Sequence, residues 1–291
     1  GFRPENDTNN IYEADDKVIY FPDDVINDKD ENGNPLFPDY NPGNAYYDYT
    51  DMFNRAMAKS KEQGNAEIFV NPGVFYFTGS VYLNSGTSIN AEAGKTAFVI
   101  KPNYQDKDGN PVDVTGFFTN PNLNETYAWY QGGIGDLIFV VEGTHDAFKP
   151  TSSVQTIMDN LCSDQVNAVK DFALFYRIRM KYSGIDNIAL SGFHAFMRWT
   201  FTDMLTRVTS VTVGPTRLVY HGVQTNDAFF YDCYYYGGYF TEDDLHEIPV
   251  FQINFSMGTT VFANSYIGNY YFSRSGAGCW CPHTTYSNLT L

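Results

Sequence analysis

Short β-rich segments recur along the second half of the chain at a nearly constant spacing. Their apolar residues Ile188, Val208 and Phe229 are about 20 residues apart, and a related segment follows at Val261 after a longer gap. A period of this size, carried by β-branched and aromatic residues, is typical of solenoids whose stacked coils bury their faces on one another. The repeat therefore predicts a mainly β solenoid, and a β-sandwich with irregular hairpins is the alternative.

A helix followed by short strands precedes the repeats, between residues 48 and 90. Thr50 is predicted to cap the first turn of this helix, and Gly64 is predicted to end it. Its apolar face recurs at three- and four-residue steps in Met52, Phe53, Ala56, Met57 and Ser60. The helix is therefore expected to lie on an apolar surface, with β-rich segments following a tight turn at residues 71–73.

The order of these parts resembles the entry of the right-handed parallel β-helix in the pectate lyase and polygalacturonase superfamily. The resemblance lies in a capping helix, a strand, and a turn formed by Pro72 and Gly73 with Phe75 where the superfamily usually has Tyr. It implies a parallel β-helix with an N-terminal capping helix. Because lyases, hydrolases, tailspikes and binding modules share this fold, the resemblance does not select a function.

The predicted domain organisation has two parts. Residues 1–47 are polar and are expected to form an extended N-terminal arm packed on the body. Residues 48–291 form the β-helix domain, with a helical insertion near residues 151–173, where apolar residues recur at helical spacing. The ends of the chain are expected to be those of a fragment cut from a larger protein.

The charge of the chain restricts its partners. The sequence holds 34 acidic and 18 basic residues, for a net charge of −16. This balance argues against nucleic acid and anionic membranes, because phosphate binding needs clustered Lys and Arg. It also disfavours a polyuronate unless calcium is present, whereas a neutral glycan meets no repulsion. No stretch is long and apolar enough to span a membrane, and the composition suits an extracellular or cell-surface bacterial protein.

Aromatic residues are 17% of the chain, and they concentrate between residues 227 and 240. Strand alternation predicts that Phe229, Tyr231 and Cys233 point inward. The predicted outward residues of this coil are Phe230, Asp232, Tyr234 and Tyr236. The predicted outward residues of the next coil are Phe262, Asn264 and Tyr266, followed by Tyr270 and Phe272. Stacked coils are therefore expected to form a flat aromatic face.

Flat aromatic faces interleaved with amides and carboxylates suit sugar polymers, because pyranose rings lay their C–H faces on aromatic rings. The predicted carbohydrate-binding residues are Phe230, Asp232, Tyr234, Tyr236, Asn264, Tyr266 and Tyr270. Three asparagines are predicted to stack as turn residues between coils, namely Asn187, Asn226 and Asn264. The alternative is that a loop, such as residues 241–247 or the N-terminal arm, covers the rings.

An acidic segment near the start of the chain resembles the first half of a calcium loop. Asp28, Asp30 and Asn32 stand at positions 1, 3 and 5, Gly33 stands at position 6, and Asp39 stands at position 12 where Glu is usual. Calcium is therefore a candidate cofactor. The alternative is an acidic turn in which Gly supplies a positive φ, as predicted for the similar residues 106–110.

No recognised catalytic signature is present. The polygalacturonase motifs occur only scrambled or out of order, so no catalytic residue is assigned. His221 and Asp227 are the best alternative acid–base pair, at a spacing that is not diagnostic. Cys279 and Cys281 flank a tryptophan in a segment that lacks a second metal-binding pair, which favours ordinary or disulfide-linked cysteines over zinc.

Two classes of function therefore remain. The first is non-catalytic binding of insoluble plant polysaccharide, with cellulose the favoured polymer, for bacterial attachment to biomass. The acidic β-helix and excess of aromatic residues resemble the tāpirins, a family of cellulose-adhesion proteins, in architecture and composition. The second is a polysaccharide lyase or glycoside hydrolase of the β-helix superfamily. A trimeric surface or phage spike module is a further alternative.

Overall fold

The chain is wound into a parallel β-helix. The computed structural model describes residues 17–121, 127–237, 251–253, 259–269 and 284–290. Its helices are α1, Thr50–Glu62, and α2, Val154–Asp159. Every pairing between its 22 named strands is parallel. Among the described helices, none is long and apolar enough to cross a membrane.

The strands form three faces that each coil crosses in turn. The first face holds β1 (Val18–Phe21), β2 (Glu67–Val70), β4 (Ser88–Ala91), β8 (Gly133–Gly135), β12 (Gly184–Asp186), β15 (Arg207–Thr209) and β18 (Ala228–Tyr231). The second face holds β3 (Gly73–Phe77), β5 (Thr96–Ile100), β9 (Ile138–Val141), β13 (Ala189–Ser191), β16 (Thr212–Val213) and β19 (Tyr234–Gly237). The third face holds β6 (Thr115–Phe118), β7 (Tyr127–Tyr130), β10 (Phe172–Tyr176), β11 (Ile178–Lys181), β14 (Ala195–Asp203), β17 (Leu218–Thr225) and β20 (Phe251–Ile253).

Two long strands join the first and second faces at one end of the solenoid. Strand β21 (Thr260–Asn269) pairs with both β18 and β19, and β22 (Thr284–Thr290) pairs with β21. An all-parallel sheet of this kind confirms the predicted mainly β solenoid and excludes the β-sandwich, whose strands run antiparallel. The right-handedness of the coil stays a prediction.

One inward column of the first face shows how the coils stack. Its members are in register across successive strands, namely Ile68, Ile89, Ile134, Ile185, Val208, Phe230 and Phe262. All seven are buried. The register corrects the repeat inferred from the sequence, because Val208 is aligned with Ile185 and Phe230 and not with Ile188 and Phe229. Stacking buried side chains of matched shape is what stabilises each coil on the next.

Helix α1 packs against this core through the face that was predicted. Met52, Phe53, Ala56, Met57 and Ser60 are all buried. The ring of Phe53 lies 4.9 Å from that of Phe21, 5.9 Å from that of Phe77 and 5.6 Å from that of Phe98, centroid to centroid. These edge-to-face contacts place α1 as a cap on aromatic rings of the first coils.

The start of α1 differs from the prediction. Thr50 is the first helical residue, and the preceding Tyr49 makes no side-chain capping bond. Instead, the Asp48 carboxylate accepts the Thr50 backbone N–H at 3.0 Å, while the Thr50 hydroxyl accepts the N–H of Gly79 at 2.9 Å. Thr50 therefore ties the helix to the following coil. The predicted end is confirmed, since Gly64 follows the helix with a φ of +77°.

The described part of the predicted N-terminal arm contributes a strand to the first face and side chains to the core. Strand β1 pairs in parallel with β2 and so forms the outermost strand of the first face. Ile19, Phe21 and Val25 are buried in the same core as α1. The division of the chain into an arm and a body stays a prediction.

The predicted insertion crosses the outside of the second face. It contains one short helix, α2, where the sequence predicts one or two over residues 151–173, and residue 172 already belongs to β10. Ile157 and Leu161 from this segment, with Phe148 just before it, join a buried cluster with Val99 and Val140 of the second face. Strands β5 and β9 are therefore apolar on both surfaces, because one surface faces the interior and the other faces the insertion.

Candidate functional site: a groove beside the second face

A row of residues with positive φ marks the corner between the first and second faces. We call this row the corner ladder, and its φ values lie between 49° and 59° at Asp136, Asn187, Ser210, Asp232, Asn264 and Asn288. Backbone bonds hold it together, as in the Asn187 N–H donating to the Thr209 carbonyl at 3.1 Å. Because neighbouring strands are about 4.8 Å apart, the ladder runs parallel to the solenoid axis at one residue per coil.

The corner ladder confirms part of the turn prediction. Asn187 and Asn264 are members of it, as expected of a residue type that tolerates the left-handed conformation. Asn226 is not, because it precedes β18 at another corner of the coil. Its side-chain amide donates to the Asp203 carboxylate at 2.9 Å.

A second row stands beside the corner ladder, two residues further along each coil. We call it the outer row, and its members are in register across the second face, namely Ile138, Ala189, Thr212, Tyr234, Tyr266 and Thr290. The insertion buries Ile138, whereas Tyr234 and Tyr266 are 38% and 37% exposed. The aromatic part of the outer row therefore begins beyond the covered strands.

A groove lies between the two rows at the aromatic end. Its volume is about 440 Å³, and its lining includes Asp232, Tyr234, Asn264, Tyr266, Asn288 and Thr290. A smaller cleft of about 200 Å³ lies at the insertion end, and its lining includes Asp136, Ile138, Leu161, Asn187, Ala189 and Thr212. Along both cavities, polar groups of the corner ladder thus face side chains of the outer row.

The two tyrosines of the groove are stacked on each other. Their ring centroids are 4.6 Å apart and their planes differ by 12°. Two parallel rings at this separation must overlap face to face, because rings side by side in one plane need more room. Burial, followed by the proximity of Tyr266, raises the pKa of Tyr234 above its usual value.

This stack corrects the predicted flat aromatic face. The shared faces of Tyr234 and Tyr266 are hidden in the pair, so the groove meets ring edges, hydroxyls and the two outer ring faces. The outer face of Tyr234 is on the side of Thr212, and that of Tyr266 is on the side of Thr290. The contact surface offered to a ligand is therefore more polar than a row of coplanar rings.

Phe230 does not belong to the predicted binding face. It is 1% exposed and stacks at 4.6 Å on Phe262, which is fully buried although it was also predicted to point outward. The corner residue Asp232 interrupts strand alternation. Even-numbered residues therefore point inward before the corner and outward after it. Phe229 and Tyr231 are consequently the outward residues of β18, in contrast to the prediction.

The remaining predicted binding residues divide into three groups. Asp232, Tyr234, Asn264 and Tyr266 come together in the groove. Tyr236 is half-buried next to it, with its ring 6.3 Å from that of Tyr234. Tyr270, Phe272 and the possible covering residues 241–247 lie outside the described residues.

Sequence reasoning missed the residues that complete the groove, namely Ser265, Asn288 and Thr290, and it also missed Thr212 of the smaller cleft. Asn288 and Thr290 belong to β22, whose sequence lacks the apolar pattern by which the earlier coils were found. A repeat of the corner asparagine 24 residues after Asn264 was the available signal, since the Asn288 amide donates to Asn264 across that separation.

The acidic segment near the start of the chain has other partners than a metal. The Asp28 carboxylate pairs with Arg55 at 2.8 Å and with Lys59 at 2.7 Å. Burial raises the pKa of Asp28, but the bonds from Lys59 and Arg55 outweigh it and hold the pKa below its usual value. Asp30 accepts both the backbone N–H and the side-chain amide of Asn34, at 2.8 and 3.0 Å.

These contacts favour the acidic turn over the calcium loop. Gly33 has a φ of +83°, and residues 106–110 form the same turn with Gly109 at +82°. Within the described residues, no group of three or more His, Cys, Asp or Glu is placed to hold a metal ion. The structure therefore does not bring Asp28, Asp30, Asn32 and Asp39 together as a calcium site, because lysine and arginine already neutralise the most buried carboxylate.

The alternative acid–base pair is also separated by the fold. His221 lies on the third face, with its ring 5.8 Å from that of Trp199. Burial, followed by Arg198, lowers the pKa of His221 to about 4. Asp227 stands at the corner after β17, where its carboxylate accepts the backbone N–H of Thr259 at 2.9 Å. The contacts of His221 and those of Asp227 are thus with different neighbours. Cys279 and Cys281 lie outside the described residues.

Comparisons with known proteins add little to this geometry. No family model matches the sequence, and the comparison with curated proteins gives no match. Among solved structures, the crystal structure of a proposed glycosyl hydrolase from Parabacteroides merdae is similar, at 13% identity and a TM-score of 0.36, over 83% of this chain and 89% of that one. A likeness this distant carries no argument about function. The strand topology itself defines the chain as a parallel β-helix protein.

Proposed function

We propose that this chain binds a neutral polysaccharide in the groove beside Tyr234 and Tyr266. The observation that carries the proposal is the lining of the groove, in which a tyrosine pair stands opposite a carboxylate and two amides. Amides and carboxylates bind sugar hydroxyls in pairs, and the tyrosine pair adds its hydroxyls, ring edges and two outer ring faces. A groove of about 440 Å³ is also within the size range of small-ligand sites.

The charge of the groove favours a neutral polymer. Asp232 is the charged side chain among its described lining residues, and the chain as a whole carries −16. A polyuronate would therefore bring carboxylates toward a carboxylate. Cellulose, xylan and other uncharged plant polymers meet no such repulsion.

The finer proposal is adhesion. The protein binds insoluble plant polysaccharide, with cellulose the favoured polymer, without cleaving it, and so attaches a bacterial cell surface to biomass. Its support is the acidic and aromatic-rich composition, together with a site built from binding groups and not from a converging pair of carboxylates. An extracellular location belongs to the same proposal.

A pull-down on insoluble cellulose, beside xylan and pectin, tests the proposal. The double variant Tyr234→Ala/Tyr266→Ala should lose at least about tenfold in affinity for the retained polymer. Tyr20→Ala is the matched control, because Tyr20 is 50% exposed on the first face, away from the groove. Circular dichroism should confirm that both variants are folded.

The supernatants decide between binding and cleavage. New reducing ends would show a glycoside hydrolase, and unsaturated products would show a polysaccharide lyase. Either would end the adhesion proposal. Equal retention of the folded double variant and the native protein would show that the groove is not the binding site.

A further inference from the structure

The larger groove and the smaller cleft are built from equivalent positions of successive coils. We infer that they are one continuous groove, in which a linear glycan lies along the solenoid axis with about one sugar unit per coil. This inference rests on the proposed function, and it adds the shape of the ligand and the direction in which it lies.

The two cavities have matching linings. In each, a corner-ladder residue forms one wall and the outer-row residue two positions later forms the other. The pairs at the insertion end are Asp136 with Ile138 and Asn187 with Ala189. The pairs at the aromatic end are Asp232 with Tyr234, Asn264 with Tyr266, and Asn288 with Thr290. The two cavities therefore share a floor of equivalent positions, and the smaller cleft is narrowed by Met158 and Leu161 of the insertion.

The junction between them is one coil wide. Thr212 lines the smaller cleft, Tyr234 lines the larger groove, and these two residues are register neighbours. The corner residue of the junction is Ser210, whose side chain is small. The insertion reaches this coil, since Leu161 lines the smaller cleft beside Thr212, so a chain that passes from one cavity to the other does so over Ser210, between Leu161 and the corner ladder.

The spacing of the walls fits a polymer. From Ala189 to Thr290 the outer row spans five strands, and strands lie about 4.8 Å apart, so the accessible groove is roughly 19 Å long. A pyranose unit in an extended β-linked chain is about as long as one strand spacing. Each coil therefore offers one corner side chain to each sugar, and about four units would fill the groove.

The hydrogen-bonding groups of the corner ladder are already aligned with one another. The Asn187 amide donates to Asp136 at 2.7 Å, and the Asn288 amide donates to Asn264 at 2.7 Å. An asparagine amide has a second N–H and a carbonyl with two lone pairs, so these residues keep capacity for a ligand. Mutual bonds hold the side chains in place before the ligand arrives, which lowers the entropic cost of binding.

The stacked tyrosines determine the mode of contact. A glycan that runs along the axis crosses the edges of Tyr234 and Tyr266, because their faces are turned toward one another along the same axis. Hydroxyls and amides therefore supply most of its contacts. Such a site prefers a linear chain whose hydroxyls recur at each unit over a short fragment that meets only one coil.

The test uses oligosaccharides of two and six units cut from the polymer that retains the protein in the pull-down. The six-unit chain should bind at least about tenfold more tightly than the two-unit chain. Asn187→Gly keeps a residue that accepts positive φ and removes one amide at the insertion end. It should weaken binding of the six-unit chain about three- to tenfold, as expected for lost hydrogen bonds, and leave the two-unit chain unaffected.

Two matched variants complete the experiment. Asn264→Gly makes the same change at the aromatic end and should weaken both ligands. Thr212→Arg places a large side chain at an outward position of the strand and so narrows the junction. The variant should bind the six-unit chain no more tightly than the two-unit chain. It also tests the inference if Asn187→Gly is too unstable to measure.

The inference is overturned if six units bind no better than two, or if the native groove binds glycan while Asn187→Gly and Thr212→Arg change nothing. In both cases binding beside Tyr234 would still be intact, so the proposed function would survive. Absence of any glycan binding by the native protein would overturn both.

Discussion

Single residues in the left-handed conformation shape this fold. Asn187 takes a φ of 50°, at which most L-residues are strained by about 1–2 kcal/mol. We expect Asn187→Ala to lower the free energy of unfolding by about 1 kcal/mol more than Asn187→Gly does, because both lose the bond to Asp136 and only alanine is strained. Chemical denaturation of the two variants measures the difference. Equal stability would mean that the corner conformation relaxes freely.

A buried histidine should make stability depend on pH. His194 is 8% exposed, and its Nδ1 accepts the backbone N–H of Asp171 at 3.1 Å. Burial, followed by Arg198, lowers the pKa of His194 to about 4; the other charged groups that act on it are Asp171, Arg217 and Lys170. The unfolded chain takes up this proton near pH 6.5 and the folded chain only near pH 4.

Protonation of His194 therefore favours unfolding as the pH falls from about 6.5 toward 4, and it has no effect above that range. We expect the melting temperature to drop between pH 7 and pH 5, where most carboxylates stay charged. In His194→Gln the drop should be smaller, whatever the absolute stability of that variant. The same pH dependence in both proteins would assign the effect to other groups.

At the scale of elements, an ion cluster ties α1 to the segment after β1. Asp28 lies between Arg55 and Lys59, and the ammonium of Lys59 also donates to the Asp24 carbonyl. Asp28→Ala should lower the free energy of unfolding by about 1–2 kcal/mol, because Arg55 and Lys59 lose their shared partner. In this variant Arg55 keeps Glu62 and Lys59 keeps the Asp24 carbonyl. Asp108→Ala, which breaks an exposed pair with Lys107, should change it by less than about 1 kcal/mol.

The same cluster predicts the effect of a metal chelator. Because Asp28 is already paired and Asp30 already accepts bonds within its turn, EDTA should leave the melting temperature unchanged and added calcium should not raise it. A ligand that binds only the native state would stabilise it. A clear shift with either reagent would restore calcium at this segment.

At the scale of the whole molecule, net charge should select among polymers. With −16 on the chain, polyuronates are repelled over distances that salt shortens to about 10 Å at 0.1 M. Retention on a neutral polymer should therefore be unchanged between low and high salt, whereas any weak retention on pectin should rise with salt. Retention on a neutral polymer that falls steeply with salt would point to charged contacts outside the groove.

Several features of the fold were predictable because they depend on local spacing. The buried face of α1 follows from three- and four-residue steps, and the stop at Gly64 follows from its freedom at positive φ. The solenoid follows from a repeat of β-rich segments. The candidate site was predictable in part, since Tyr234 and Tyr266 stand two residues after a corner residue in their own coils.

Other features could not be predicted from local spacing. The orientation of Phe230 depends on where a corner interrupts strand alternation, and a one-residue error in aligning coils reverses every side chain of a strand. Asp28 was a candidate metal ligand in the sequence because its partners Arg55 and Lys59 are distant along the chain.

The sequence by itself determined the class of fold, the position of the capping helix, and the polar and aromatic residue types of the candidate site. Only the tertiary structure decided that the tyrosines stack on each other, that the insertion covers one end of the second face, and that six corner residues align beside them. The reason is physical. Propensity and periodicity act within a segment, whereas stacking, covering and register depend on which coils become neighbours, and the sequence pattern specifies that only to within a residue or more.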